Sequence, residues 1–217
     1  MTVPSAPAAS PQPSPTPRRI GIFGGAFDPV HDAHLALAQA ALDQLSLHEL
    51  RWVPTGEPWY KTRPLAEAAH RLAMVALAVA NEPRYSIDVR ELERAGPSYT
   101  LDTVIGMQTE HTAREDSEPA QWFLVIGQDQ FARFDTWHGW QALVARVTLA
   151  VAGRAGQLPE RAAALAGAPI RLVEIDLPPM QVSSTEIRER IAHGESLAGL
   201  VPDAVASYIA RHGLYTA

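Results

Sequence analysis

His31 and His34 stand three residues apart, directly after a glycine pair and a proline, in RRIGIFGGAFDPVHDAH from Arg18 to His34. At helical spacing both imidazoles leave one face of a first turn. A helix N-terminus presents unpaired N–H groups and about half a positive charge, so two imidazoles beside it suit the holding and neutralising of phosphate oxygens. A second grouping is Val182-Ser183-Ser184-Thr185-Glu186-Ile187-Arg188, hydroxyls at a helix start with an arginine close behind. By the same dipole argument it is a second anion site. It also reads as a capped surface helix, Ser183 as N-cap and Glu186 completing a capping box, and the two readings are compatible. Asp129 follows the apolar run Trp122 to Ile126 and Gly127. A carboxylate just past a strand end sits where ligands bind in open α/β sheets.

Other chemistries were weighed against these residues. The HxxH pair could present two ligands to zinc, but no third carboxylate or histidine follows at a persuasive spacing, and Asp28 lies across the turn. The pair could also be packing alone. GxxxxGK[ST] and GxSxG are both absent, which argues against a P-loop NTPase and a nucleophile elbow. A phosphate site without a protein nucleophile points to direct transfer: a substrate oxygen attacks phosphorus and pyrophosphate leaves. That chemistry needs positioning and charge neutralisation more than acid–base work.

The elements that must carry these residues follow from the pattern. Ile20 to Phe23 reads as a buried strand ended by Gly24 and Gly25, with a helix from His31 to about Leu45. Glu49 to Pro54 is a second strand, Ala66 to Ala80 a helix, and Tyr85 to Val89 a third strand. Glu91 to Pro97 reads as a charged turn. Ser98 or Thr100 caps a helix from Leu101 to about Thr109, and His111 to Ala120 is an exposed loop. Trp122 to Ile126, Val147 to Ala152 and Ile170 to Ile175 are further strands. Phe131, Phe134 and Trp140 belong to packing around a short helix, and Pro159 to Leu165 is another helix. The last helix runs from Pro202 to Tyr215, closed by Gly213. Strands alternating with helices predict an α/β fold with a parallel sheet covered on both faces. Both anion sites then fall on its C-terminal side.

Composition sets the bounds. The 217 residues fit one domain, residues 18–217, and the net charge of −6 supplies no global field for nucleic acid. An anion must therefore meet a local cluster. There is no cysteine, which fits a reducing cytosol and a cytoplasmic location. No run of about twenty apolar residues is present, so no membrane span is expected. Residues 1–17 are rich in Ala, Pro and Ser, with six prolines, and are expected to be a disordered tail.

GGAFDPVHDAH resembles the nucleotidyltransferase signature GGxFDPxHxGH. From Arg19 to Tyr215 the chain resembles the bacterial nicotinate-nucleotide adenylyltransferase family. VPTGEPWYK, HRLAM, ELERAGPSYT, IGQDQFARFDTW and VSSTEIRERIAHGES carry the likeness. PSYT together with IGQD…TW separates it from pantetheine-phosphate adenylyltransferase. The resemblance implies a Rossmann-like sheet with a small C-terminal helical part. It implies AMP transfer from ATP to nicotinate mononucleotide, giving deamido-NAD and pyrophosphate, with Mg²⁺ on the ATP phosphates. ATP and that nucleotide would be the partners, with no nucleic acid and no membrane; homo-oligomerisation is left open. It assigns His31, His34 and Arg188 to catalysis. Gly24, Gly25, Phe27, Gly127, Asp129, Ser184 and Thr185 join these three in binding ATP. Lys61, Ser98, Tyr99, Thr100, Trp137 and His138 would bind the nicotinate nucleotide, Trp137 by stacking on the pyridine and groups around Thr100 and His138 by reading its carboxylate. The chain departs from the pattern at Ala33 for the glycine of HxGH, Ala26 for a hydroxyl residue, Trp59-Tyr60 for Pro-His, and Gly153-Arg154-Ala155 for the Arg-Pro-Gly turn. A different acceptor on the same fold, or a module that binds nucleotide without catalysis, are the competing readings.

Overall fold

The computed structural model describes residues 16–56, 65–114, 117–154, 165, 167–178 and 180–216. Six strands form one sheet in the order β3-β2-β1-β4-β5-β6. They are β1 (Arg18–Gly25), β2 (Glu49–Pro54), β3 (Tyr85–Ile87), β4 (Ala120–Ile126), β5 (Thr148–Arg154) and β6 (Leu172–Leu177), and every neighbouring pair is parallel. The helices are α1 (Asp32–Gln44), α2 (Ala68–Val79), α3 (Arg90–Glu93), α4 (Thr100–Thr112), α5 (Gln128–Phe131), α6 (Trp140–Arg146), α7 (Ser184–Ala192) and α8 (Asp203–His212). The expected parallel sheet and its helical layers are present.

The central strands are apolar without interruption because both of their faces are covered. Trp122, Leu124 and Ile126 of β4 pack with Val104 and Met107 of α4 and with Leu143 and Val144 of α6. Phe123 and Val125, one residue out of phase, join the opposite layer with α1, α2, α7 and α8, through Leu42, Met74, Ile187 and Ile209. The two-residue period of the strand thus builds two cores. Gly21 of β1 admits Leu50 and Leu47 against the backbone, where a Cβ would collide with both.

β1 and β4 are adjacent, with Phe23 opposite Val125, although a large part of the chain lies between them. From β1 the chain winds outward to β3, returns through α4 to β4, and winds outward the other way. The two halves therefore part at the C-terminal ends of β1 and β4, and a crevice at such a reversal is where ligands bind.

Several boundaries differ from the sequence reading. The charged turn after β3 contains one helical turn, α3, whose Glu91 faces inward and is buried. Helix α4 continues to Thr112, so His111 is not in an exposed loop. It is buried, and its Nε2 lies 2.8 Å from the Glu118 carbonyl oxygen. Neither Ser98 nor Thr100 caps α4; Tyr99 occupies that position, and no side chain caps it. β5 runs on through Gly153 and Arg154, and β6 begins two residues later than the pattern suggested, because its inward residues pair with β5 as Val173 with Ala150 and Ile175 with Ala152. β3 stops at Ile87. The tail to residue 15, Lys61, and Pro159 to Ala164 lie outside the described residues.

Candidate active site

β1 ends in Gly24 and Gly25, and the chain then turns through Phe27 to His31, the N-cap of α1. Gly25 is required by its neighbour: a Cβ there would stand 2.8 Å from the Phe27 ring. Phe27 takes a left-handed backbone, φ 46°, and its ring is buried between Phe23, Trp52 and His34. Only the backbone of Phe27 is therefore placed to meet a nucleotide.

The two imidazoles stack, 3.6 Å between centroids. His34 Nδ1 accepts the His31 backbone N–H at 3.2 Å, so one ring is oriented by the other residue's main chain. His31 is only 6 % exposed, and burial pulls its pKa down to about 4. At neutral pH it is uncharged. A neutral ring presents an N–H as a hydrogen-bond donor.

The second predicted anion site meets the first. Ser183 caps α7 by accepting the Glu186 N–H at 3.1 Å, while the Glu186 carboxylate turns to Arg190. One residue on, Ser184 Oγ donates to the Pro29 carbonyl at 2.9 Å. Arg188 Nη1 donates to the Asp28 carbonyl at 2.7 Å, and its Nη2 to Thr185 Oγ1 at 3.0 Å. The start of α7 and the turn before α1 are thus one assembly. Before a ligand enters, Ser184 and Arg188 brace the turn.

On the other side of β1, Gly127 opens α5 from the end of β4, and Asp129 stands exposed in its first turn. No atom lies within 4 Å of a Cβ built at Gly127, so the space beside it is open. The residues expected for a pyridine nucleotide also gather. Tyr99 and His138, far apart in sequence, have rings 4.3 Å apart. Trp137 is half-buried against Phe134, 5.2 Å between centroids. Gly139 turns the chain at φ 64° beside Leu101, fixing the Trp137-His138 pair against the start of α4. Ser98 is buried, its Oγ 3.5 Å from the Glu91 carbonyl, and Thr100 is the first residue of α4.

Several residues of this region were not found from sequence. Glu91 lies beneath Ser98. Burial raises its pKa first, and a 2.7 Å hydrogen bond from Thr103 Oγ1 opposes that. A Cβ at Gly56 would strike the Glu91 carbonyl, so the chain leaving β2 is pressed against α3. Asp28 and Arg71 are 1 % and 2 % exposed and lie under the phosphate turn. The signal for Arg71 was available: it shares the buried stripe of α2 with Met74 and Val75, where an apolar residue is expected.

A concavity of about 920 Å³ lies at the opposite end of the sheet between Pro17, Gln108, Trp122 and Arg171, away from these residues. Among the described residues no three His, Cys, Asp or Glu side chains gather as a metal cage.

Residues 22–190 match the family model described as cytidylyltransferase-like. A protein of Methylibium petroleiphilum named "Probable nicotinate-nucleotide adenylyltransferase" is 49 % identical over 95 % of this chain and 94 % of its own. One of Bordetella petrii with the same name is 45 % identical over 91 % and 99 %. Among solved structures, the nicotinic acid mononucleotide adenylyltransferase of Plasmodium falciparum complexed with APC shares the fold, with TM-score 0.71 at 19 % identity, covering 91 % of this chain and 97 % of that one.

Proposed function

This chain belongs to the cytidylyltransferase-like family, as a nucleotidyltransferase of the nicotinate-nucleotide adenylyltransferase group, and we propose that it joins ATP to nicotinate mononucleotide. A 5′-phosphate oxygen of the mononucleotide attacks the α-phosphorus of ATP. The bond from that phosphorus to the bridging oxygen of the β-phosphate breaks. Deamido-NAD forms and pyrophosphate leaves with the electron pair.

The observation that carries this reading is the meeting of two helix starts: Arg188 and Ser184 of α7 reach the carbonyls of Asp28 and Pro29, just before His31. A triphosphate on that seat would meet the N-terminal ends of α1 and α7 together. His31 would donate from its neutral ring and His34 from the next turn, to oxygens that gain charge in the transition state. Arg188, Ser184 and Thr185 would hold the outer phosphates. The backbone of Gly24, Gly25 and Phe27 would lie along the nucleotide, and Gly127 and Asp129 would take the ribose. Trp137 would stack on the pyridine. The carboxylate would sit at the start of α4, near Thr100 and Tyr99, where no side chain already caps the helix, with His138 beside it. Lys61 would add a cation. Ser98 would shape the floor.

With no such cage among the described residues, a divalent ion would be held chiefly by the bound triphosphate, as Mg²⁺ with few protein ligands is. When bound it would neutralise phosphate charge. Pyrophosphate release with ATP, Mg²⁺ and either nicotinate or nicotinamide mononucleotide tests the reading. Fast release with the acid and slow release with the amide is expected. Equal rates would remove the carboxylate site at α4, and no release with either would overturn the reaction.

A further inference from the structure

The side chains of Asp28, Arg71 and Tyr215 are given no part in the phosphate, ribose or pyridine contacts above, yet they converge beneath the turn that carries His31. Asp28 Oδ1 accepts the Tyr215 hydroxyl at 2.8 Å and the Ala66 N–H at 3.1 Å. Arg71 Nε donates to the Ala66 carbonyl at 3.0 Å, and Nη1 to the Ala26 carbonyl at 2.9 Å. Ala66 is thus held at both its donor and its acceptor, and the loop of contacts closes through Ala26 and Asp28 around Phe27. Burial lowers the pKa of the Arg71 guanidinium, and the nearby negative charge of Asp28 opposes that. Tyr215 itself sits at φ 64°, a conformation uncommon for a tyrosine, so its hydroxyl contact acts against backbone strain.

Stability alone does not account for this group. Buried charged groups are frequently no better for stability than apolar side chains of similar volume. What the group does fix is the backbone on either side of Phe27, whose next carbonyls, Asp28 and Pro29, are those gripped by Arg188 and Ser184.

We propose that Asp28, Arg71 and Tyr215 form a positioning unit that sets the height and tilt of the phosphate turn, so that the segment after α8 is required for transfer although it touches no substrate. The proposal rests on the reading that ATP phosphates lie on the 24–34 turn. A displacement of about 1 Å at a reacting centre can lower a rate about a hundredfold, so a partly released turn registers in turnover before it registers in folding.

The test removes one oxygen atom. Tyr215→Phe is compared with Tyr208→Phe, which removes another tyrosine hydroxyl, the one 3.0 Å from His70 Nδ1. Measured are kcat, KM for each substrate, ATP affinity and stoichiometry by calorimetry, and the urea midpoint. The stoichiometry corrects kcat for any unfolded fraction. Tyr215→Phe is expected to lower kcat about tenfold with KM for the pyridine nucleotide within about twofold, while Tyr208→Phe keeps wild-type kcat. Wild-type kcat in Tyr215→Phe, or an equal loss in both variants, overturns the unit. If the wild type turns over neither nucleotide, the proposed reaction fails separately, and ATP affinity becomes the readout: weakened in Tyr215→Phe it retains the unit, unchanged it overturns it.

Discussion

At the level of single residues, the two histidines divide their work by environment. His31 is buried and uncharged at neutral pH, while His34 stands half-buried against Phe23 and Phe27 with its Nδ1 already engaged. His34→Ala is expected to lower turnover by about two orders of magnitude, as loss of one transition-state donor does, with the circular dichroism spectrum unchanged. Turnover near wild type would remove His34 from the mechanism. His31 also gives a pH signature. Its folded pKa, about 4, lies below the unfolded value of 6.5, so between these the unfolded chain binds more protons. Its contribution is complete above about pH 6.5 and is lost as pH falls to about 4, amounting to about 3 kcal/mol. Urea titrations across that range should show the loss in wild type and a flatter dependence in His31→Asn. The histidine pair was legible in the sequence because a three-residue spacing at a helix start brings side chains together, here as N-cap His31 and third-position His34 and not on one helical face. Asp28 was not, since its role comes from Ala66 and Tyr215, which no local pattern joins to it.

At the level of elements, α7 shows how a cap and a binding surface share residues. Ser183 satisfies the helix start, which leaves Ser184 and Arg188 to reach the turn before α1. Ser183→Ala is expected to cost about 1 kcal/mol, seen as a lower urea midpoint at unchanged slope. A midpoint equal to wild type would mean that the cap is immaterial. The strands and long helices were readable because apolar runs and helical periods are local. The failures were at connections. Glu91 read as part of a charged turn because carboxylates are usually outside, and it is buried only because Thr103, from the next helix, donates to it. Tyr99 took the cap position from Ser98 and Thr100, and the Ser98 hydroxyl turns to the Glu91 carbonyl instead.

At the level of the whole molecule, the layers bring distant segments to one edge of the sheet, and ligand binding there should stabilise all of them together. ATP with Mg²⁺ at about a hundred times its dissociation constant is expected to add about 2.7 kcal/mol to unfolding, with one cooperative transition retained. An unchanged melting temperature at that concentration would count against a preformed nucleotide seat. The parallel sheet followed from alternation, whereas its strand order and the junction of α7 and α8 with the turn before His31 did not, because nothing in a sequence reports contacts across 155, 160 and 187 residues. Those same separations bear on synthesis. A nascent chain can complete β1, α1 and β2 early, but the turn before His31 gains its braces only after residues 184–215 have been made and have left the ribosome. Contacts this remote in sequence form slowly. The turn before His31 is therefore set near the end of folding, and an incomplete chain would carry the signature GGAFDPVHDAH without the bracing that gives it shape.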